Sequence, residues 1–105
     1  MKLLTKELEK KLRANNWSNI PVVKFFGGGA CTWLISEMEE DGDTLFGLCD
    51  LGFGSPELGT VSLSELQTLK FPPLGLGVER DRYFKADKTM TQYADESRAK
   101  GRIVA

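Results

Sequence analysis

The chain has 105 residues, of which 41% are hydrophobic and 28% are charged, and its formal net charge is −1. A chain of this length and composition folds as one domain around one core, and it is too apolar to be disordered. It contains no histidine, which excludes Ser-His-Asp and Cys-His catalytic sites and histidine-based metal centres.

No apolar segment of the sequence has the length of a signal peptide core or of a membrane span. At the N-terminus only Leu3 and Leu4 form an apolar pair before charged residues resume, and no run elsewhere approaches about 20 apolar residues. We therefore expect a cytoplasmic protein. Cys31 and Cys49 are too few for a disulfide framework and lack the spacing of metal ligands, so we expect two buried free thiols and no cofactor.

The first predicted element is a helix from Thr5 to Arg13. Its apolar stripe repeats every fourth residue, at Leu4, Leu8 and Leu12. Thr5 is the expected N-cap, and Asn15 and Asn16 are expected to end the helix.

Three β-strands are predicted next. Ile20 to Phe26 is rich in β-branched and aromatic residues and runs into the glycines 27–29, which we interpret as a flexible hairpin loop. Cys31 to Glu39 and Thr44 to Asp50 flank an acidic turn and form the clearest hairpin in the chain.

The second half of the chain adds shorter elements. A glycine-rich connection, 51–56, leads to a strand from Leu58 to Val61 and then to a short helix over 62–69, where Ser62 and Glu65 have the spacing of a capping box. Two prolines and two glycines make 71–77 a loop, and Val78 to Phe84 alternates like a last strand. The class is therefore α+β, with a small antiparallel sheet of about four to five strands.

Residues 85–105 carry weaker signals. Asp87 is a possible N-cap, Lys88 to Lys100 is a helical run with few large apolar residues, and Gly101 is a possible C-cap. We predict a core domain over 1–84 that ends near Phe84, followed by a C-terminal helical tail over 85–105. The tail is a peripheral helix, a partner-binding helix or a frayed terminus, and the first two carry equal weight.

The glycine-rich segment DLGFGSPE carries two carboxylates, Asp50 and Glu57. They have neither a base nor a metal partner in the sequence, so an enzyme centred on them is the weakest of the hypotheses, and no catalytic residue is assigned. Phe53 lies in the same segment. It is expected in the core, with an exposed interface anchor as the alternative.

Charge is distributed unevenly along the chain. Residues 1–24 hold six basic and two acidic residues, 25–69 hold eight acidic and no basic residues, and 70–105 hold eight basic and five acidic residues. Seven carboxylates of the middle block are predicted to form a partner-binding surface: Glu37, Glu39, Glu40, Asp41, Asp43, Asp50 and Glu57. Such a surface could imitate the phosphates of nucleic acid and dock on a basic groove.

Two other interpretations of the charges stay open. The acidic block could be a solvated sheet face that serves solubility alone. Alternatively, the basic residues could bind nucleic acid directly, through the first helix and the tail. These residues are Lys2, Lys6, Lys10, Lys11, Arg13, Arg98, Lys100 and Arg102. That alternative lacks aromatic residues interleaved with the basic clusters, and the isoelectric point is about 5.5.

Several long blocks in a fixed order carry a family resemblance. They are the opening MKLLTKELEKKL, Val22 to Phe26 (VVKFF), the Trp33 strand, Phe46 to Gly59 (FGLCDLGFGSPELG), Val61 to Leu66 (VSLSEL) and Leu74 to Phe84 (LGLGVERDRYF). Through them the sequence resembles the domain-of-unknown-function family 2958 over about residues 1–84, whereas the tail from Lys85 departs from the pattern.

The resemblance implies an accessory protein of plasmids, phages or other mobile elements, acting in a bacterial host cell. Some members of that family are similar to anti-CRISPR proteins that inhibit Cas9-type nucleases. The implied function is a non-enzymatic inhibitor whose partner is a Cas9-type (type II) nuclease or its guide-RNA complex, with no small-molecule substrate and no membrane. The resemblance names no binding residue.

Overall fold

The structure is a computed structural model that describes residues 3–15, 19–28, 30–72 and 74–105. Predictions that involve Lys2, Asn16, Gly29 and Pro73 therefore lie outside the described residues. In chain order the elements are α1 (Lys6–Ala14), β1 (Val23–Gly27), β2 (Cys31–Met38), β3 (Thr44–Asp50), β4 (Glu57–Ser62), α2 (Leu63–Thr68), β5 (Glu79–Arg80) and α3 (Met90–Lys100).

The five strands form one antiparallel sheet in the order β4-β3-β2-β1-β5, which confirms the α+β class. Consecutive strands from β1 to β4 are neighbours, because each is joined to the next by a short turn or loop. No helix among the described residues is long and apolar enough to cross a membrane.

One side of the sheet, here called the α1 face, is covered by α1 and α2. Leu12 of α1 and Leu66 of α2 are buried with Phe25 and Trp33 of the sheet in the larger of two core clusters. The predicted N-cap is confirmed, since the backbone N–H of Leu8 donates to Thr5 Oγ1 at 3.2 Å. The Leu stripe of α1 therefore faces the sheet as its spacing predicts.

The other side, the α3 face, carries a second core cluster. Leu34 and Leu48 pack there with Met90, Tyr93 and Ala94 of α3. The core therefore does not end near Phe84, because α3 supplies the cover for this side of the sheet. Apolar side chains on both faces also explain why residues 33–35 of β2 are all buried rather than alternating.

Two predicted boundaries are corrected by local hydrogen bonds. Thr89, not Asp87, is the N-cap of α3, and it forms a reciprocal capping box with Gln92. Strand β5 stops at Arg80 rather than Phe84, because Asp81 Oδ1 accepts a bond from the Tyr83 N–H and turns the chain.

Strands β2 and β3 approach unusually closely beside a β-bulge. The pairing register shifts between Ile35 and Glu37, and Gly47 lies opposite Ile35. A Cβ atom at Gly47 would lie 2.0 Å from the carbonyl oxygen of Leu34, so no other residue fits there without movement of the backbone.

We predict that Gly47→Ala lowers the free energy of unfolding by about 2 kcal/mol or more, because the added methyl group forces the two strands apart. Gly59→Ala is the matched control, since Gly59 is the partner of Gly47 on the edge strand β4 and nothing lies within 4 Å of its Cβ position. The control should change stability by less than about 0.5 kcal/mol. Urea unfolding followed by far-ultraviolet circular dichroism measures both, and equal losses would contradict the steric explanation.

Candidate functional site

The turn between β2 and β3 borders a groove of about 560 Å³, here called the acidic groove. Its lining consists of Arg13, Glu37, Met38, Glu39, Glu40 and Asp41. Four of the seven predicted site residues therefore lie together. Sequence reasoning missed Arg13 as a neighbour of the groove, because α1 reaches it only through tertiary packing on β2, and it did not single out Met38, which lies in β2 between Glu37 and Glu39.

Asp41 holds the turn in shape. Its Oδ1 accepts bonds from the N–H groups of Asp43 at 2.9 Å and Thr44 at 2.8 Å, and its Oδ2 accepts one from Thr44 Oγ1 at 2.6 Å. The hydroxyl bond from Thr44, with the two backbone bonds, lowers the pKa of Asp41 from 3.8 to about 2. At neutral pH this carboxylate is thus ionised, and both of its oxygens are hydrogen-bonded within the turn.

Asp43 joins the hairpin to α2. Its Oδ2 accepts a bond from Ser62 Oγ at 2.6 Å and its Oδ1 one from the Ser64 N–H at 2.8 Å, while its carbonyl oxygen accepts the Leu63 N–H. The Ser62 hydroxyl is the largest cause of the lowered pKa of Asp43. Asp43 therefore caps the helix from a distant part of the chain, beside the N-cap Ser62.

Glu39 and Glu40 differ from these two aspartates. Both are exposed, and neither side chain makes a hydrogen bond or an ion pair within the described part of the chain. The cation of the groove, Arg13, is paired with Glu9 at 3.1 Å. Among the exposed carboxylates of the turn, the two glutamates thus differ from Asp41 in having no hydrogen bond within the described residues.

The other two predicted site residues, Asp50 and Glu57, lie away from the groove. They stand at the far end of β3 and the start of β4, about 20 Å from the turn at the usual rise per strand residue. The assignment of Asp50 to a binding surface is wrong, because this side chain is only 2% exposed. Its Oδ1 accepts the Gly52 N–H at 2.9 Å and its Oδ2 accepts the Ile103 N–H at 3.0 Å.

The basic residues of the first helix and the tail do not form one surface. Lys6, Lys10 and Lys11 are on α1, whereas Arg98 and Lys100 are on α3, and these helices cover opposite faces of the sheet. Phe53 was expected in the core but is 86% exposed. Its exposure had no local signal, since the glycines beside it are compatible with either outcome.

Both cysteines are free and half-buried rather than fully buried. Burial raises the pKa of Cys49 to about 11, and burial with the nearby charge of Asp50 raises the pKa of Cys31. Both thiols are therefore protonated and weakly nucleophilic at neutral pH. Among the residues that the structure describes, no group of three or more carboxylates and thiols is arranged to hold a metal ion.

The fold and the groove together define an α+β protein with an antiparallel sheet covered on both faces and an acidic hairpin at one end. The chain belongs to the protein family of unknown function DUF2958, whose sequence model matches residues 2–104. The match runs through α3, so the segment after Lys85 is part of the family and not a departure from it. No curated protein and no solved structure matches the chain.

We predict that Asp41→Asn lowers stability at neutral pH and flattens the loss of stability in acid. The folded-state pKa of Asp41 is depressed, so its contribution is present above about pH 4 and is lost as the pH falls from about 4 towards 2. Urea midpoints measured across this range for wild type and variant test the prediction.

Glu40→Gln is the control, because it removes one charge from the same turn without removing a hydrogen bond. It should keep the acid dependence of the wild type. An Asp41→Asn variant with the same acid dependence as the wild type would show that the bonds to Thr44 do not stabilise the fold.

Proposed function

We propose that the protein is a non-enzymatic inhibitor that docks through its acidic groove on a basic, nucleic-acid-binding surface of another protein. The proposed partner is a Cas9-type (type II) nuclease or its guide-RNA complex, in the cytoplasm of a bacterial host cell. The observation that carries the proposal is the pair Glu39 and Glu40, which is exposed on a turn whose shape is fixed by other carboxylates.

Fixed geometry matters because binding costs less when the contact surface is already ordered. Asp41 accepts hydrogen bonds from within the turn, and Asp43 accepts one from α2. The exposed glutamates therefore project from a hairpin whose conformation is fixed. No Lys or Arg occurs between residues 25 and 69 to neutralise them within that segment. A surface with one sign of charge speeds association with a surface of the opposite sign.

The choice of partner rests on the family and on electrostatics. A Cas9-type nuclease holds its guide and target strands in positively charged channels, which an acidic, rigid surface can occupy in place of phosphates. Members of the family resemble mobile-element proteins, for which inhibition of such a nuclease is a direct advantage. The partner surface is therefore expected to be rich in Arg and Lys.

Direct nucleic-acid binding through the first helix together with the tail is the less favoured alternative. Its two basic segments lie on opposite faces of the sheet, so one strand or duplex would have to pass around the molecule to touch both. Arg13 and Arg98 are also paired, with Glu9 and Asp95. These observations favour the protein-docking hypothesis.

We predict that the double variant Glu39→Lys/Glu40→Lys loses inhibition while the fold persists. Reversing both charges should slow association with the nuclease complex about tenfold or more at low salt, because steering is replaced by repulsion. A DNA-cleavage assay in the presence of the protein, paired with a pull-down of the nuclease complex, measures the effect. Asp41 and Asp43 stay unchanged, since their replacement would also weaken the turn.

The matched control is Glu57→Lys/Glu79→Lys, which makes the same change in net charge with two exposed residues outside the groove. It should inhibit like the wild type. Equal loss in both double variants would mean that total charge, and not the acidic groove, determines binding. Full inhibition by Glu39→Lys/Glu40→Lys would remove the groove as the contact surface.

A further inference from the structure

The loop after β3 holds an aromatic ring in solvent. Phe53 is 86% exposed and Leu51 is 53% exposed, although neighbouring residues of β3 are buried. Gly52 and Gly54 on either side of Phe53 both have positive φ, 87° and 81°, which turns the chain sharply and points the residue between them outward. Aromatic side chains are enriched in contact surfaces.

A single buried carboxylate joins this loop to the C-terminal segment. Asp50 accepts one hydrogen bond from Gly52, at the start of the loop, and one from Ile103, three residues after the end of α3. The carbonyl oxygen of Gly54 also lies 3.8 Å from the Cβ position of Gly101. The loop that carries Phe53 and the segment that follows α3 are therefore held side by side.

The C-terminal end of α3 and the segment after it carry two cationic side chains next to this loop. Lys100 and Arg102 are exposed, and their side chains form no ion pair or hydrogen bond with any residue that the structure describes. Arg102 and Gly52 line the same cavity of about 340 Å³ with the carboxylate of Asp50, whose oxygens accept the Gly52 and Ile103 N–H groups. Residues 97–105 contain no carboxylate side chain, and Glu57 belongs to the other side of the sheet, since it pairs with Cys49 of the α1-face core.

We propose that Phe53, Lys100 and Arg102 form a binding site for single-stranded nucleic acid. A base stacks on the exposed ring of Phe53, while the two cations contact the phosphates on either side of it. A stacking aromatic beside cations is the usual basis of single-strand binding, and a duplex would not offer its bases to the ring. This site is at the opposite end of β3 from the acidic groove and does not depend on the function proposed for that groove.

Fluorescence anisotropy with fluorescein-labelled oligo-deoxythymidine and oligo-uridine of about twelve nucleotides tests the site at a series of salt concentrations. The wild type should bind saturably at about 50 mM salt and more weakly as salt rises. Phe53→Ala should weaken binding roughly 5-fold to 150-fold, whereas Phe53→Trp should retain it. Thermal unfolding of both variants should match the wild type, because the side chain is exposed.

The cations are tested by Lys100→Gln/Arg102→Gln, which should lower the slope of log affinity against log salt by about 1.4, the value for two lost phosphate contacts on a single strand. The matched control Lys6→Gln/Lys10→Gln removes two cations from α1 on the other face and should leave binding unchanged. The proposal is overturned if the wild type shows no saturable binding, if Phe53→Ala binds like the wild type, or if the control weakens binding as much as Lys100→Gln/Arg102→Gln.

Discussion

An aspartate stands at each end of strand β3: Asp43 precedes it and Asp50 is its last residue. Each carboxylate needs hydrogen-bond donors, because it lies against the packed sheet. Asp50 is nearly fully buried, where an ionised carboxylate without donors would be strongly destabilising. It accepts hydrogen bonds from the N–H groups of Gly52 and Ile103, and Asp43 accepts them from the Ser62 hydroxyl and the Ser64 N–H. Helix α2 and the segment after α3 are therefore each fixed by a carboxylate at one end of the same strand.

The carboxylates of the acidic block, residues 25–69, do not all have the same role. Asp41, Asp43 and Asp50 have oxygens bonded to backbone N–H groups, so these carboxylates stabilise the fold, and Asp41 also lines the acidic groove. The carboxylates of the turn that make no hydrogen bond within the described residues are those of Glu39 and Glu40. A longer side chain reaches past the turn into solvent, whereas the short side chain of aspartate bonds the backbone near it. At this turn, residue type thus separates the hydrogen-bonded Asp41 and Asp43 from Glu39 and Glu40, whose side chains make no hydrogen bond within the described residues.

Elements with local signals were predictable from the sequence. The Leu repeat and Thr5 cap of α1, the hairpin of β2 and β3, and Ser62 at the start of α2 each depend on neighbours within a few residues. The docking of α3 was not, because its buried residues Met90, Tyr93, Ala94 and Ser97 have helical spacing but include few large apolar side chains, so the stripe is weak. Their burial follows from Leu34 and Leu48, which need a cover on that side of the sheet.

The candidate sites show the same limit. The turn residues 39–41 were placed together correctly because they are adjacent in sequence, whereas Asp50 was misassigned because one of its two donors, Ile103, is 53 residues away. The proximity of the Phe53 loop to the segment with Lys100 and Arg102 depends on that bond and on the close approach of Gly54 to Gly101, and it has no sequence signal.

The sheet separates the two proposed surfaces by its own length, since β3 runs from the acidic turn to the loop that carries Phe53. Their charges are opposite, so a ligand that suits one surface is repelled by the other. A guide-RNA nuclease complex offers both a basic protein channel and single-stranded nucleic acid, whereas a simple DNA duplex or an isolated basic protein offers only one of them. The sheet holds the two surfaces at a fixed distance. Simultaneous contact therefore raises affinity only for a ligand whose basic channel and single strand lie at that distance. Such a geometry would let a chain of 105 residues select an assembled complex over its separate components.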